Sequence, residues 1–597
     1  MRKVYLFCLV LLFGSFFKVS FSYAADFSFN YNVSYNVSES GNTHVKQHVT
    51  LTNEVTDIYA QNYTLIITSD KIDNVTASDG GGVISPQITR KDGQTIITLP
   101  FTTKVVGKNK TNPFTLEYDS HDIARKNGRI WEIIIPGIAR NETLNAYTIH
   151  LSVPPSFGSP AYVSPATTQA GVWTLAQHQG HGIAAAYGIF QNFAFNLKYH
   201  LENTTIKAQM QEITLPPDMS FQKIIISHIS ELPQNVIVDH DGNWLAQYKL
   251  LPAQKKEILV EGNALVYATP QLQTQQELTS AQREVYTAGQ KYWEQTPQII
   301  AKAEQLGSPQ AIYDYVVGTL TYDYNRVIPG ITRLGAAEAF TNPSRAICME
   351  FSDLFVALAR AAKIPAREIH GFAYTTNSRL QPLSLLSDVL HAWPQYWDQE
   401  KKLWISVDPT WGNTTRGVDY FNHLDFNHLA FAILGQKSDY PYPAGAFRNE
   451  TSTKDVFVDI SSEAIEVPNP TYELQLDNSL VVSGKPSTIN LKISNVGSIL
   501  YSPKKIYTNV PWVIAKNESQ TGIPPYGFQN MPLVVAAPLV WTTKNTDIII
   551  TVDGKTLTTT IKVQPFYLPF LPWIVLLIGV VAVGFVILKR HDTRLKN

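Results

Sequence analysis

From Phe27 onward, apolar and polar residues alternate along the chain: "FSFNYNVSYNV", "THVKQHVTLTN", "YTLIITS", "TIITLPF". A period of two, broken by clusters of Gly, Asn and Asp, predicts antiparallel strands with one wet face. A weak echo follows. "YNVSYNVSESGNTHVKQHVTLTNEV" lines up with "FNLKYHLENTTIKAQMQEITLPPDM", and "DNVTASDGGG" with "QNVIVDHDGN". We expect two related β-sandwich-like modules, at 26–155 and 156–268. Within the second, "DHDG" (Asp239 to Gly242) reads as a hairpin turn and not as a calcium loop, because no further ligand spacing follows it.

The pattern changes near residue 270. "QTQQELTSAQREVYTAGQKYW" and "SPQAIYDYVVGTL" have helical propensity and spacing. Helix and strand signals then continue to about Gly435, which predicts an α+β domain at 269–440. "RNETSTKD" is a polar linker. From 455 to 563 strands return ("STINLKISNVG", "DIIITVDG", "TLTTTIKV") in an Ig-like pattern. The expected fold is therefore multidomain: an α+β core flanked by all-β sandwich modules.

Both ends change the picture. Residues 1–25 read as a secretory signal, with Arg2 and Lys3, the apolar run "VYLFCLVLLFGSFF", and small residues around Ala24. Cys8 lies inside that apolar run, where it cannot be a lipidation site after cleavage. "FLPWIVLLIGVVAVGFVIL" (570–588) is uncharged and close to the roughly 20 residues that cross a bilayer. Lys589, Arg590, Arg594 and Lys596 follow at once. Positive charge stays inside, so the expected protein is single-pass, with 589–597 cytoplasmic and the bulk of the chain outside the cell. Tyr567 and Trp573 suit the outer interface.

A net charge of −1, from 48 Lys+Arg against 49 Asp+Glu, gives no nucleic-acid signature. The chain has 2 cysteines. Beyond the signal, Cys348 stands alone in an oxidising compartment, which points to an intermolecular disulfide or a reactive thiol.

Around Cys348, the residues Phe351, Leu354, Phe355, Leu358, Ala359 and Ala362 recur at helical spacing and stop before Ile364-Pro365. Asn342-Pro343-Ser344 offers an N-cap followed by a permitted proline. Cys348 then falls in the first turn, where the helix dipole favours an anion, the nucleophilic form of a thiol. Further on, "VLHAWPQYWDQEKKLWISVDPTWG" is two strand-like runs around a polar turn. A turn centred on Gln399-Glu400 places His391 directly opposite Asp408 on one face. A carboxylate there fixes the imidazole tautomer and leaves the other ring nitrogen for a neighbouring thiol.

The composite "ICMEFSDLFVALARAAKIPARE…HAW…LWISVDPTW" resembles the transglutaminase-like superfamily, whose core is a papain-like Cys-His-Asp fold. The resemblance covers about 308–435. It implies Cys348 as nucleophile, His391 as general base and acid, and Asp408 as orienter. The run "DYFNHLDFNHLAFAI" also resembles bacterial members, and His428 within it is read as structural. Two departures stand out. Ala346 replaces a Gly common in relatives two residues before the Cys, and Pro394 removes a ladder donor from the His strand, implying an edge or a bulge. No acidic loop matches the calcium sites of animal relatives, so neither metal nor other cofactor is expected.

The resemblance implies a cysteine protease, amidase or transglutaminase at the cell surface, acting on an extracellular protein or peptide. The rival class is a non-enzymatic adhesion or scaffold protein on a β-stalk. Trp393, Trp397, Trp404 and Trp411 are read as groove residues, with core packing the role of at least two. Ten Asn-x-Ser/Thr sequons, among them Asn32, Asn203, Asn413 and Asn517, follow from an Asn- and Thr-rich composition.

Overall fold

The computed structural model describes residues 26–594 apart from 139–143, 168, 272–276, 329–330, 376, 386–388, 417, 448–453, 464, 478–479 and 516–521. The expected signal segment, with Cys8, and most of the polar linker lie outside the described residues.

The chain divides into two compact units. The first spans Met1–His121, Ala139–Val153 and Thr167–Gly180; the second spans Asp122–Ile138, Pro154–Ala166 and His181–Asn597. In the first, the alternating runs form the strands Phe27–Val37 and Thr43–Asn53, paired antiparallel with Val33 opposite Gln47. They lie within a seven-stranded sheet, and a three-stranded sheet completes the unit. A single boundary near 155 does not separate the two units. The strand Ile130–Ile135 pairs with Ile183–Tyr187, in the second unit, across an intervening return of the chain to the first.

In the second unit, strands between 190 and 267 form two sheets around one core that includes Phe193, Leu197, Ile224, Trp244 and Val260. Val456–Ser461, just past the linker, joins this module by pairing with Phe190–Glu202. Residues 239–242 are a hairpin turn. Asp239 Oδ1 accepts from the backbone N–H groups of Asp241, Gly242 and Asn243 at 2.8–2.9 Å, and Gly242 takes φ +99°. This is an Asx-type turn closed by its own side chain.

The α+β region holds the helices Pro297–Leu306 and Pro309–Thr319, each with proline in its first turn and a hydroxyl cap from Thr296 or Ser308. The helix Cys348–Ala361 is buried nearly all round, its charged residues Glu350, Asp353 and Arg360 included, so each of these needs a partner. It ends where the proline signal places it, and Lys363 takes φ +62° just beyond. It packs on a sheet ordered Ser384–Leu385, Val389–Asp398, Ala366–Ala373, His428–Leu434, with Leu403–Ser406 on the second of these. Buried Arg333 joins helix to sheet by pairing with Asp353 and Glu368.

This region builds most of its own core, around Phe351, Leu354, Phe355 and Trp411, but does not close it alone. Phe372, Leu429 and Phe431 belong to the hydrophobic core of the 190–267 module, and Ile130, Tyr162 and Ala186 join the cluster that contains the Cys348 helix. The open edge of His428–Leu434 is sealed by side-chain amides. Gln222 bonds both Ala430 N and Ala430 O (2.8 and 3.1 Å), and Asn243 bonds both Ile433 N and Ile433 O (2.7 and 2.8 Å). Two primary amides thus occupy the positions of a further strand and blunt an otherwise reactive edge.

Near the C-terminus, two four-stranded sheets between 472 and 564 enclose a common core of Leu491, Ile493, Leu533, Ile548, Ile550 and Ile561. The helix Leu571–Arg594 follows. The segment Leu568–Leu588 has mean hydropathy 2.8, contacts nothing that buries it, and is long and apolar enough to cross a membrane.

Candidate active site

Cys348 is the first residue of its helix, and Ile347 is the N-cap. The expected cap at Asn342 instead opens a separate 3-10 turn, Pro343–Arg345. Ile347 has no side-chain oxygen to offer, so the helix start is closed from the other side. Buried Glu350 accepts from Ile347 N (3.0 Å) and Leu334 N (2.9 Å), and is paired with Arg326 at 3.0 Å. This is the reciprocal half of a capping box.

His391 and Asp408 meet, but not as opposite residues of a hairpin. The observed pairs are Gln395 with Ser406, Trp397 with Trp404 and Asp398 with Leu403, a turn centred one residue later than Gln399-Glu400, which moves each partner two residues along. The partner strand ends at Ser406. Pro394 shows why. Its carbonyl accepts from Val407 N at 3.1 Å, but it has no N–H to return the bond. The ladder stops there and the chain turns away. Asp408 becomes the N-cap of the helix Pro409–Thr414, its Oδ1 accepting from Thr410 N (2.8 Å) and Trp411 N (3.1 Å). Its Oδ2 is left to face the histidine.

His391 Nε2 donates to Asp408 Oδ2 at 3.0 Å, since a carboxylate only accepts. Nδ1 is buried and has no oxygen or nitrogen partner among the described residues. Burial opposes protonation of His391, but the charge and hydrogen bond of Asp408, followed by the Cys348 thiol, outweigh it and push its pKa up to about 9. Burial likewise opposes ionisation of Asp408, but the two histidines on its oxygen hold it well below the usual carboxylate range. The ring of His391 stacks near Trp393 and Trp411, with centroids 5.9 and 5.3 Å away. Trp397 and Trp404 instead pack edge to face, with Arg367 over Trp404. All four indoles are buried.

His428 belongs to the same cluster. Its Nε2 is 3.3 Å from Asp408 Oδ2 and its Nδ1 is 2.6 Å from Asp425 Oδ1. Burial opposes its protonation, yet Asp425 and Asp408 push its pKa up to about 9. One atom each of His391, Asp408 and His428 lies within 4.8 Å of the others, the spacing of a metal triad. Those atoms are already joined by hydrogen bonds of 3.0 and 3.3 Å, and we assign no metal to them.

Sequence reasoning missed Asp425, Glu350 and Tyr322. The Tyr322 hydroxyl is buried with no hydrogen-bond partner among the described residues, and burial followed by the charge of Cys348 opposes its ionisation. Of these, only Glu350 left a readable signal: it stands three residues after the true cap. Beyond Trp393 and His428 opens a cavity of about 870 Å³ between the sheet and the 190–267 module, lined also by Arg367, Gln395, Tyr286 and Trp404.

The sequon at Asn413 is a brace. Its Nδ2 donates to Val317 O (2.8 Å) and Leu320 O (3.0 Å), tying the Asp408-capped helix to Pro309–Thr319. Asn203 likewise spends its Nδ2 on three backbone carbonyls.

Residues 295–409 match the model of the Transglutaminase-like superfamily core, a stretch that contains Cys348, His391 and Asp408. No curated protein matches the chain. Among solved structures, a provisionally assigned cysteine protease from Cytophaga hutchinsonii aligns over 46% of this chain and 99% of its own at 14% identity, with a TM-score of 0.29. A provisionally assigned protease from Parabacteroides distasonis aligns over 86% of this chain and 93% of its own at 10% identity, with a TM-score of 0.19. Both TM-scores are too low to carry a fold argument. The family assignment therefore rests on the sequence match: residues 295–409 of this chain are a transglutaminase-like superfamily core.

Proposed function

We propose that this chain is a membrane-anchored, extracellular cysteine acyl-transfer enzyme acting on peptide or glutamine amides through a thioester. The observation that carries this reading is the placement of His391, with Nε2 on Asp408 and the Cys348 thiol as the polar neighbour of the ring. The thiolate of Cys348 attacks the amide carbonyl and forms a C–S bond. The Cys348 N–H, free at the first position of its helix, donates to the oxyanion. We assign the second donor to the Tyr322 hydroxyl, which is buried, unpartnered and within electrostatic reach of the thiol. The C–N bond breaks as His391 passes its proton to the departing amine. Water, or a second amine, then gives its proton to His391 and attacks the thioester, releasing Cys348.

Hydrolysis is the favoured outcome because bacterial chains with this core resemble peptidases. The test is to incubate full-length protein with a Gln-containing peptide and a labelled amine, then measure ammonia release and amine incorporation separately. Ammonia release that disappears in Cys348→Ala supports the enzyme, and incorporation of label identifies a cross-linker. A folded wild-type chain that does neither, whose Cys348 alkylates no differently after His391→Ala, leaves the scaffold reading instead.

A further inference from the structure

Asp408 Oδ2 has two histidine donors, His391 at 3.0 Å and His428 at 3.3 Å, while its Oδ1 holds two backbone N–H groups. Every lone pair of the carboxylate is engaged. His428 in turn reaches a second carboxylate, Asp425, at 2.6 Å. Carboxylates only accept, so a histidine bridging two of them donates from both ring nitrogens and is an imidazolium. A buried charge of this kind is costly unless paired on both sides, and a simple packing role would be filled by an apolar residue.

We propose that His428, oriented by Asp425, is a positioning residue for Asp408 and through it for His391; the proposal rests on the thiol-catalysis reading above. Its positive charge draws on the same oxygen that stabilises the His391 imidazolium. His428 therefore fixes Asp408 in place and limits how tightly His391 keeps its proton, so that the proton can be passed to a leaving amine.

The groups around His428 are few. The Val389–Asp398 strand presents His391, its ring centroid 5.5 Å away, and Trp393. The helix Pro409–Thr414 brings Trp411, at 4.5 Å, and its cap Asp408. The Cys348 thiol neighbours His391. Asp425 comes from the preceding loop, and its Oδ1 also accepts from Asn427 N at 2.9 Å. Behind Asp425 stands Glu132, held by Asn427 Nδ2 at 2.6 and 2.7 Å. Burial, then the charge of Asp425, raises the Glu132 pKa to about 7. Burial, then the same Asp425 charge, keeps Tyr162 and Tyr420 protonated.

The test is the rate of iodoacetamide alkylation of Cys348 in the full chain in detergent micelles, read on the Cys348 peptide from about pH 5 to about pH 11. The inflection that His391→Ala abolishes belongs to His391. In His428→Gln that inflection is expected to move upward by about one pH unit, because a competing positive charge is gone. Asp425→Asn is expected to move it in the same direction by less, since His428 then loses its proton at lower pH. Circular dichroism establishes that each variant is folded, and if His428→Gln is not, Asp425→Asn decides. An inflection that stays in place in folded variants overturns the proposal, leaving His428 a structural ion pair. If His391→Ala itself changes nothing, the thiol-histidine reading has failed first and the proposal falls with it.

Discussion

Asp408 Oδ2 lies 3.0 Å from His391 Nε2, although the two residues are not partners in the hairpin that joins them. One carboxylate therefore performs two jobs that mutation can separate. Asp408→Asn keeps an oxygen for Thr410 N and Trp411 N and so keeps the helix cap, but it loses the charge that holds a histidine proton. It is expected to fold nearly normally while activity falls roughly 10⁴-fold, by analogy with serine triads. Asp408→Ala loses the cap as well and is expected to be less stable than the Asn variant by about 1 kcal/mol. Urea unfolding of the two, alongside their turnover, checks the separation.

The two site histidines give the pH dependence a sign. His391 and His428 are each raised from 6.5 to about 9, so the stability their pairing contributes is complete below about 6.5 and is lost as pH rises through about 9. Asp408 is lowered, so its contribution persists above 3.8 and disappears only well into acid. The thermal midpoint of the wild type is expected to fall on going from pH 7 to about pH 10, and that fall should shrink in His391→Ala. An equal fall in both would show that other groups set the alkaline limit.

Residues 269–440 alone are expected not to fold, because their apolar faces and one sheet edge are completed by residues from 122–138, 154–166 and 181–267. Gln222→Ala and Asn243→Ala should each cost about 1–3 kcal/mol in the intact chain, the penalty of leaving a buried N–H and C=O unpaired. Circular dichroism of the fragment, and denaturant unfolding of the two variants, supply the measurements. A cooperatively folded 269–440 fragment would contradict the shared core.

Gly371 is opposite His391 in the sheet and sits where the register shifts against His428–Leu434. A Cβ added there meets Leu429 O at 2.1 Å and the Trp393 ring at 2.8 Å. Gly371→Ala must displace both the neighbouring backbone and the indole stacked on His391. It is expected to cost about 1–3 kcal/mol as an overpacking change, and to lower Cys348 reactivity as well. Unaltered reactivity in a destabilised variant would mean that the Trp393 contact does not hold the imidazole.

Removing everything from Leu568 onward is expected to move the protein from the membrane fraction to the soluble fraction with its thiol reactivity intact. Fractionation followed by alkylation of Cys348 tests both halves of that statement. A truncated chain that stays with the membrane would point to a second contact surface.

What the sequence determined by itself was local. Alternation fixed the strands of the β modules, the Cys348 helix stopped before Ile364-Pro365 because proline forbids continuation, and the 568–588 segment is apolar enough to be read without a fold. "ICMEF…HAW…VDPTW" was sufficient to bring Cys348, His391 and Asp408 together in expectation. The route by which they meet was decided by tertiary structure. Pro394 ends the ladder, and a helix cap, not a hairpin register, aims Asp408; a one-residue shift of a turn is invisible in a polar run such as "DQEKK". Modularity was likewise undecidable in advance, since an apolar strand face reads the same whether its cover comes from its own domain or from residues far away in the chain. His428 and Asp425 became site residues only because a strand start and a loop converge on one carboxylate oxygen, and the energy of a buried charge depends on which groups surround it, not on its place in the sequence.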